Sequence, residues 1–172
     1  MMNYTGRGYM HFLSFTGIVT GIHRFETGMH GGMIGCMQIF TVENEQGQIV
    51  NFVVEPETYF VHHETIKVGD RITGFYDGDA PAILIYPPQY PAIVIAKESQ
   101  HYFVKVSFFN EALVSADGQL KLTIGRDTVI RLENAQRFQG SLANRNLIVL
   151  FGPTTRSIPA QTTPFEIIVI CQ

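Results

Sequence analysis

Apolar and polar positions along the first half of the chain alternate in short runs that predict strands. The segment "FTGIVTGIHRF" (15–25) alternates well enough to form a first strand. The segment "MQIFTVENEQGQIVNFVVEPET" then predicts a strand, a turn at 44–48 and a second strand. A tight turn precedes a strand over 71–76, and "ILIYPPQYPAIVIA" (83–96) supplies one or two last strands.

The second half repeats this order of elements. The segment "YFVKVSFFNEALVSADGQLKLTI" again predicts a strand, a turn and a strand, and a proline-bracketed polar loop again precedes a run of Ile and Val. The matched positions are Gly47 and Gly118 in the turns, Thr58 and Thr128 before a short strand, and Gln89 and Gln161 in the proline elements. Such self-similarity indicates duplication. We therefore expect a flexible tail over 1–9 and two related small β-domains, 10–98 and 99–172.

Composition supports an all-β interpretation. The chain is 45% hydrophobic and 16% charged, so it has enough apolar material for a packed core. Val, Ile, Thr, Phe and Tyr dominate the apolar runs, and these residues favour strands. Sixteen glycines and eight prolines punctuate the runs, as in sandwiches and small barrels.

The first-half pattern resembles oligonucleotide/oligosaccharide-binding (OB) barrels. In those barrels an apolar-x-Gly-x-Val strand, here "FTGIVTGI", comes first, and a Val-Gly-Asp turn, here in "IKVGDRITGFY", introduces a late strand. The resemblance covers 15–76 and is weaker in the second half, which has "ANRN" in place of Val-Gly-Asp. The proline elements also resemble an uncharacterised bacterial family of the Firmicutes type. The resemblance implies two OB-like β-barrels in tandem with little or no helix, because "TYFVHHE" is a poor candidate for the helix that OB barrels usually carry.

Charge is distributed unevenly along the chain. The net charge of −3 gives no overall field that would attract nucleic acid or an anionic membrane. Residues 1–99 hold five Lys/Arg and ten Asp/Glu, whereas residues 100–172 hold seven and five. An anionic ligand is therefore expected in the second half.

The loop "GPTTRSIPAQTTP" is the first candidate site. One arginine and several hydroxyls can hold a phosphate or a sugar; alternatively, the hydroxyls bond the backbone of their own loop. Without a Gly-rich cradle or a lysine, it is not a P-loop. Together with Arg145 and the first-half proline element at 83–96, this loop gives the predicted ligand-binding set. Its members are Arg145, Thr155, Arg156, Ser157, Gln161, Tyr86, Gln89 and Tyr90.

The proline elements also have structural interpretations. Proline has no N–H and ends or starts strands, while Gln89 and Gln161 can pin the loops by bonding backbone groups. The "PPQY" segment matches the Pro-Pro-x-Tyr ligand of WW domains, but it lies between two apolar strands, where an exposed polyproline ligand is not expected.

Metal ligands were sought in two places. His62 and Glu64 share a face if the segment is a strand, and an exposed, polar strand end is the alternative. The loop 28–37 offers Met29, His30, Met33, Cys36 and Met37, soft ligands for Cu(I), or else a mobile or packing loop. Neither spacing is that of a known metal motif, so no metal and no cofactor are predicted.

The two cysteines, Cys36 and Cys171, form no disulfide framework. We expect two buried free thiols; a single disulfide is the alternative. The N-terminus does not read as a signal peptide and no apolar run is long enough to span a bilayer, so we expect a soluble, cytoplasmic protein without a membrane partner unless an export signal lies upstream.

No arrangement of residues indicates catalysis. We expect a non-catalytic binding or assembly module that contacts a protein partner or a second copy of itself, for instance through an uncovered strand edge. The alternative is binding of single-stranded nucleic acid or oligosaccharide by the second barrel. The stacking aromatics and the cations available for it are Phe103, Phe108, Phe109 and Phe138, and Arg126, Arg131, Arg137 and Arg145.

Overall fold

The computed structural model describes residues 8–24, 34–81 and 83–171. In these residues the fold is all-β, and the single helical element is one 3-10 turn, Val61–His63. The all-β prediction is confirmed. The strands are β1 Phe12–Arg24, β2 Gln38–Glu43, β3 Ile49–Val54, β4 Tyr59–Phe60, β5 Arg71–Asp77, β6 Gln89–Pro91, β7 Val94–Lys97, β8 Phe103–Phe109, β9 Leu120–Leu122, β10 Val129–Leu132, β11 Arg145–Phe151, β12 Ala160–Thr162 and β13 Glu166–Ile170. No helix in the described residues is long and apolar enough to cross a membrane.

The chain divides into two compact units. The first unit is Leu13–Glu98, and the second unit is Ser99–Gln172 together with the N-terminal segment that ends at Phe12. Residues 8–10 are held on the second unit, because the buried Asn146 side chain donates to the Gly8 carbonyl (2.9 Å) and accepts the N–H of Met10 (3.3 Å). The described end of the predicted tail is therefore packed.

The first unit forms a seven-stranded sheet in the order β4-β7-β5-β1-β2-β3-β6. Strands β1, β2 and β3 are an antiparallel meander, and the turn between β2 and β3 is closed by Asn44, whose side-chain oxygen accepts the N–H groups of Gln46 and Gln48. The core centres on the fully buried Phe52. Gly74 is required beside it, since a Cβ there would lie 2.4 Å from the ring.

The second unit forms a four-stranded sheet, β10-β13-β11-β8, and a two-stranded sheet, β12-β9. Strand β11 is buried along both faces, as its continuous apolar sequence predicts. The core centres on the fully buried Phe109 and includes Leu147 and Ile167.

The two units share a set of parallel strand pairs. Strands β3 and β6 pair in the first unit as β9 and β12 do in the second, and β4 and β7 pair as β10 and β13 do. Before the short strand, the hydroxyl of Thr58 donates to the Ala92 carbonyl (2.8 Å), and that of Thr128 donates to the Pro164 carbonyl (2.7 Å). The matched threonines thus make the same bond in both units.

The OB-like barrels in tandem, which the resemblance implied, are not supported by this strand order. The seven-stranded order is open, with β4 and β6 at its ends, and the strands of the second unit divide between two sheets. The recurring parallel pairs give the structure a feature of β-solenoids. The physical reason is that the proline element divides the last strand of each unit into two short pieces, β6 and β7 or β12 and β13, which take different neighbours.

The segment around His62 is not a strand. Val61–His63 is a 3-10 turn, and both His62 (φ 57°) and His63 (φ 53°) adopt positive φ. The alternation of strand side chains, by which His62 and Glu64 were expected to share a face, therefore does not apply. In the described residues no group of His, Cys, Asp and Glu is arranged to hold a metal ion.

Candidate functional site

The hydroxyls of the loop between β11 and β12 bond within their own loop. Thr155 accepts the N–H of Gln161 on its side-chain oxygen (2.9 Å) and shares a hydrogen bond with the Ser157 hydroxyl (2.7 Å). The Ser157 hydroxyl also bonds the Pro159 carbonyl (2.8 Å). This confirms the alternative interpretation, a loop that satisfies its own backbone. Thr155 does the pinning that had been expected of Gln161, whose side chain is exposed, and Arg156 is exposed beside it.

The matching element of the first unit places its tyrosines differently. Tyr86 is 78% exposed, whereas the half-buried Tyr90 stacks on Tyr76 with ring centroids 4.0 Å apart and an interplanar angle of 6°. Burial, together with neighbouring Tyr90, raises the pKa of Tyr76. Gln89 lies in β6, where its backbone pairs with Asn51. Tyr90 is therefore part of an aromatic pair in the first unit.

Arg145 is far from the other predicted ligand residues of its unit. It begins β11, and the loop with Thr155 and Arg156 follows the last residue of that strand, Phe151. At about 3.4 Å per residue the strand separates the two by roughly 20 Å. The structure therefore brings Thr155, Ser157 and Gln161 together and leaves Arg145 elsewhere.

A different set of arginines lines one cleft of the second unit. The cleft has a volume of about 650 Å³ and is formed by β10 and the segments on either side of it. Its cationic lining residues are Arg126, Arg131 and Arg137, with Phe138 beside them. All three arginines are exposed, and Asp127 is the acidic lining residue. The cleft therefore presents an excess of positive charge.

A tight hairpin sets the positions of two of these arginines. The N–H of Leu132 donates to the Gln136 carbonyl (2.7 Å), and the N–H of Phe138 donates to the Ile130 carbonyl (3.2 Å). Arg131 and Arg137 are consequently directly opposite each other across the hairpin. Like charges in such a pair are destabilising, so this arrangement is not explained by stability alone.

The third arginine, Arg126, belongs to a turn that is closed by hydrogen bonds of Thr128. Thr128 accepts the N–H of Gly125 on its hydroxyl (3.1 Å) and donates to the Pro164 carbonyl, and its own N–H bonds the Gly125 carbonyl (3.3 Å). Arg126 lies within this closed turn. Its backbone is thus held, while its side chain extends into solvent beside the cleft.

Arg145 joins this region through an aromatic contact. Its guanidinium carbon lies 4.7 Å from the centre of the Phe138 ring, and its Nε–H donates to the Ser141 carbonyl (2.7 Å). These two contacts orient the guanidinium plane. The structure thereby places four arginines, 126, 131, 137 and 145, around one hairpin.

Three carboxylates lie near the cleft, and one of them, that of Asp127, lines it. Glu166 approaches Arg131 at 3.9 Å, a weak ion pair in a partly exposed setting. Burial raises the pKa of Glu133, at the tip of the hairpin. Among the lining residues themselves, three arginines accompany one carboxylate, that of Asp127.

The other aromatic residues considered for stacking have different roles. Phe109 is fully buried in the core and is unavailable to a ligand. Phe108 packs on Tyr9 with ring centroids 5.1 Å apart. Phe103 is 66% exposed and lies next to Phe151 across β8 and β11.

The sequence contained a signal for the arginine cleft. Five of the eight arginines fall within residues 126–156, and Arg131 and Arg137 flank the turn "LENAQ" symmetrically. The sequence offers Phe138 and these arginines for nucleic-acid binding, but only Arg145 belongs to the predicted ligand-binding set. What was missed is the hairpin, since β10 is short and its second strand is a single bridge.

The cysteine prediction was wrong in one respect. Cys36 and Cys171 are both exposed and neither forms a disulfide. We expected buried thiols, but both residues lie just outside a strand. Of the suggested soft-metal loop, Met29, His30 and Met33 lie outside the described residues.

The chain was compared with known proteins on this basis. No protein-family model, curated protein or solved structure matches it. The resemblance to OB barrels and to a bacterial family of the Firmicutes type therefore stays a prediction, and the function rests on the site alone.

Proposed function

We propose that the protein is a non-catalytic binding module whose second unit binds single-stranded nucleic acid in the arginine cleft. The observation that carries this proposal is the convergence of Arg126, Arg131 and Arg137 with Phe138 on one cleft. Proteins that bind single strands combine a positive groove, which follows the phosphates, with planar groups on which bases stack.

The use of arginine rather than lysine supports a phosphate ligand. A guanidinium offers a planar fork of donors that matches phosphate oxygens, whereas an ammonium is a point charge. The repulsion between Arg131 and Arg137 across the hairpin would be relieved by an anion bound between them. The local charge also explains how a protein with a net charge of −3 can bind a polyanion.

Fluorescence anisotropy of a labelled single strand of about 12 nucleotides tests the proposal. The full chain should bind with micromolar affinity at about 50 mM salt and lose affinity steeply by about 200 mM, because phosphate contacts release counterions. Arg131→Ala and Arg137→Ala should each weaken binding and each lower the slope of log K against log salt by about 0.7.

Arg156→Ala is the matched control for this experiment. It removes the same charge from the same unit, but in the loop that the sequence suggested as a site. If Arg156→Ala weakens binding and the two hairpin variants do not, the ligand site is the loop and the cleft proposal is wrong. Absence of binding by the full chain at low salt would remove the nucleic-acid function itself.

A second candidate function, protein assembly, is favoured by one segment of the first unit. Four consecutive large apolar side chains are exposed to solvent: Ile83 (73% exposed), Leu84 (100%), Ile85 (44%) and Tyr86 (78%). Exposed apolar patches commonly mark protein contacts. Sedimentation velocity over a wide concentration range tests self-association. Leu84→Asp should abolish any concentration dependence, and a sedimentation coefficient that is constant for the wild-type protein would argue against self-association.

The relationship to OB barrels remains a proposal for the fold. It is supported by the way the chain changes partners at the junction of β6 and β7. The N–H of Ala92 donates to the Val53 carbonyl of β3 (3.0 Å), and the N–H of Ile93 donates to the Phe75 carbonyl of β5 (2.8 Å). The chain thus runs from β6, at one end of the sheet, directly into β7, which lies next to β4 at the other end, as is expected of a small, partly open barrel. A crystal structure tests this proposal.

A further inference from the structure

The contact between Phe138 and Arg145 has a geometry that the phosphate-binding arginines lack. The Arg145 guanidinium carbon lies 4.7 Å from the centre of the Phe138 ring, and the Nε–H of the same side chain donates to the Ser141 carbonyl (2.7 Å). A side chain that served only as a cation would gain nothing from this fixed orientation. A guanidinium plane held in place is instead a surface on which a nucleic-acid base can stack.

The local backbone favours such a platform. The backbone N–H of Phe138 donates to the Ile130 carbonyl and so holds Phe138 at the end of the hairpin. The edge of its ring approaches Gly140, where a Cβ would lie 2.6 Å from the ring. The absence of a side chain at Gly140 therefore allows the ring to occupy this position. Phe138 is half-buried against the core of its unit, so the ring is a firm support for the guanidinium.

We propose that the Phe138–Arg145 pair is the base-stacking platform of the arginine cleft, with Arg126, Arg131 and Arg137 binding the neighbouring phosphates. This inference rests on the proposed function and adds to it. It makes the cleft a site for a nucleotide unit with its base, and not a site for any polyanion. Arg145 contacts the base, and Phe138 is a positioning residue that supports it.

A comparison of two labelled strands of equal length separates the platform from the phosphate site. One strand is oligothymidylate of about 12 nucleotides, and the other carries the same phosphates with abasic sugars. The wild-type chain should bind the thymidylate about 5- to 100-fold more tightly than the abasic strand, since stacking of one base contributes on this scale.

Arg145→Lys and Phe138→Leu are the variants that test the mechanism. Arg145→Lys keeps the charge and removes the plane, whereas Phe138→Leu keeps an apolar side chain and removes the ring. Each should abolish most of the preference for thymidylate, measured as the ratio of the affinities for the two strands. Arg131→Ala should weaken the binding of both oligonucleotides by the same factor. Because Phe138 contacts the core, Arg145→Lys gives the result that does not depend on packing.

The outcomes distinguish the two proposals. If the wild-type chain binds both strands equally and with salt sensitivity, the cleft binds phosphates and the platform is wrong. The platform is also wrong if Arg145→Lys retains the full preference for thymidylate. If neither strand binds, the proposed function fails, and the platform fails with it.

Discussion

Strand β4 of the first unit and strand β10 of the second begin alike, but the segments that follow the two strands differ. Just before each strand, a threonine hydroxyl donates to a backbone carbonyl: Thr58 to Ala92, and Thr128 to Pro164. The N–H of the next residue then donates to the carbonyl that follows: Tyr59 to Ile93, and Val129 to Phe165. In the first unit the strand then ends in a 3-10 turn at the buried Val61. In the second it continues into the hairpin that carries Arg131 and Arg137.

This difference suggests where function is added to a duplicated scaffold. The shared parts are backbone ladders and a side-chain-to-backbone bond, which position the chain without reference to a ligand. The divergent part is a connection of a few residues, and it contains the charge. Connections on a rigid scaffold can vary without loss of the core, and binding residues are concentrated in them.

The largest expected effect breaks the scaffold of the first unit alone. Phe52→Ala removes a fully buried ring and should lower the free energy of unfolding by about 3–5 kcal/mol. Urea unfolding measures the loss. Below the transition, the folded variant should bind the oligonucleotide within about twofold of the wild-type affinity, because the substitution lies in the core of the first unit and the arginine cleft belongs to the second.

Phe109→Ala is the control, since it removes an equally buried ring from the second unit. If Phe52→Ala remains folded by circular dichroism and yet loses binding, residues of the first unit belong to the site and the comparison has been drawn wrongly.

Charge reversal in the hairpin is the next largest effect. Arg137→Glu replaces a guanidinium of the arginine cleft with a carboxylate that repels phosphate, and the affinity for single-stranded oligonucleotide should fall by about 10- to 100-fold. Arg156→Glu makes the same change in net charge at an exposed position of the same unit. Equal losses in the two variants, measured by anisotropy, would mean that total charge and not the cleft determines binding.

Thr58 and Thr128 allow a test of whether their hydrogen bonds contribute equally to the stability of the two units. Thr58→Val and Thr128→Val each leave a carbonyl, of Ala92 or Pro164, without its hydroxyl donor. Each should cost about 1–3 kcal/mol of unfolding free energy. Thr→Ser at the same positions should restore most of it. A large loss at one position with none at the other would show that the two bonds are not equivalent.

The smallest expected effect is a pH dependence that only the second unit's turn should show. Burial acts to raise the pKa of Asp117, but hydrogen bonds from Lys105 and Ser115 outweigh it and hold the pKa below its ordinary value of 3.8. A lowered folded-state pKa contributes stability that is present above the unfolded value and is lost as the pH falls through the folded one. The contribution should be less than about 1 kcal/mol, because the group is largely exposed.

Unfolding in urea at about pH 3 and about pH 6 measures this contribution. Acidification should destabilise the wild-type protein more than Asp117→Asn. The first unit closes its turn at 44–48 with the uncharged Asn44 and Gln48, so Asn44→Asp should introduce a pH dependence there. Identical pH profiles for wild type and Asp117→Asn would contradict the assignment.

Much of the fold could be predicted from the sequence, because its signals are local. Two-residue alternation defined the strands, Gly47 (φ 77°) and Gly118 (φ 72°) marked turns that need positive φ, and Thr58 and Thr128 marked matched positions. Which strands pair with each other could not be predicted from these local signals. The open strand order and the division of each last strand depend on contacts between distant segments, which alternation does not encode.

The candidate site was predicted less well than the fold. The hydroxyl loop attracted attention because Thr155, Arg156 and Ser157 are adjacent in sequence, but their hydroxyls are used within the loop. The cleft depends on Arg131 and Arg137 meeting across a hairpin, and that pairing is visible only once the turn between them is known. Adjacency in sequence was therefore a poorer guide than cross-strand register.

The most direct test of the arginine cleft is a map of where a single strand contacts the protein. The full chain is photo-crosslinked to an oligonucleotide at low salt, and the modified peptides are identified by mass spectrometry. The cleft predicts crosslinks within residues 126–145, centred on Phe138. Crosslinks confined to 152–163 or 83–91, the loops suggested by sequence, with none in 126–145, would contradict the account.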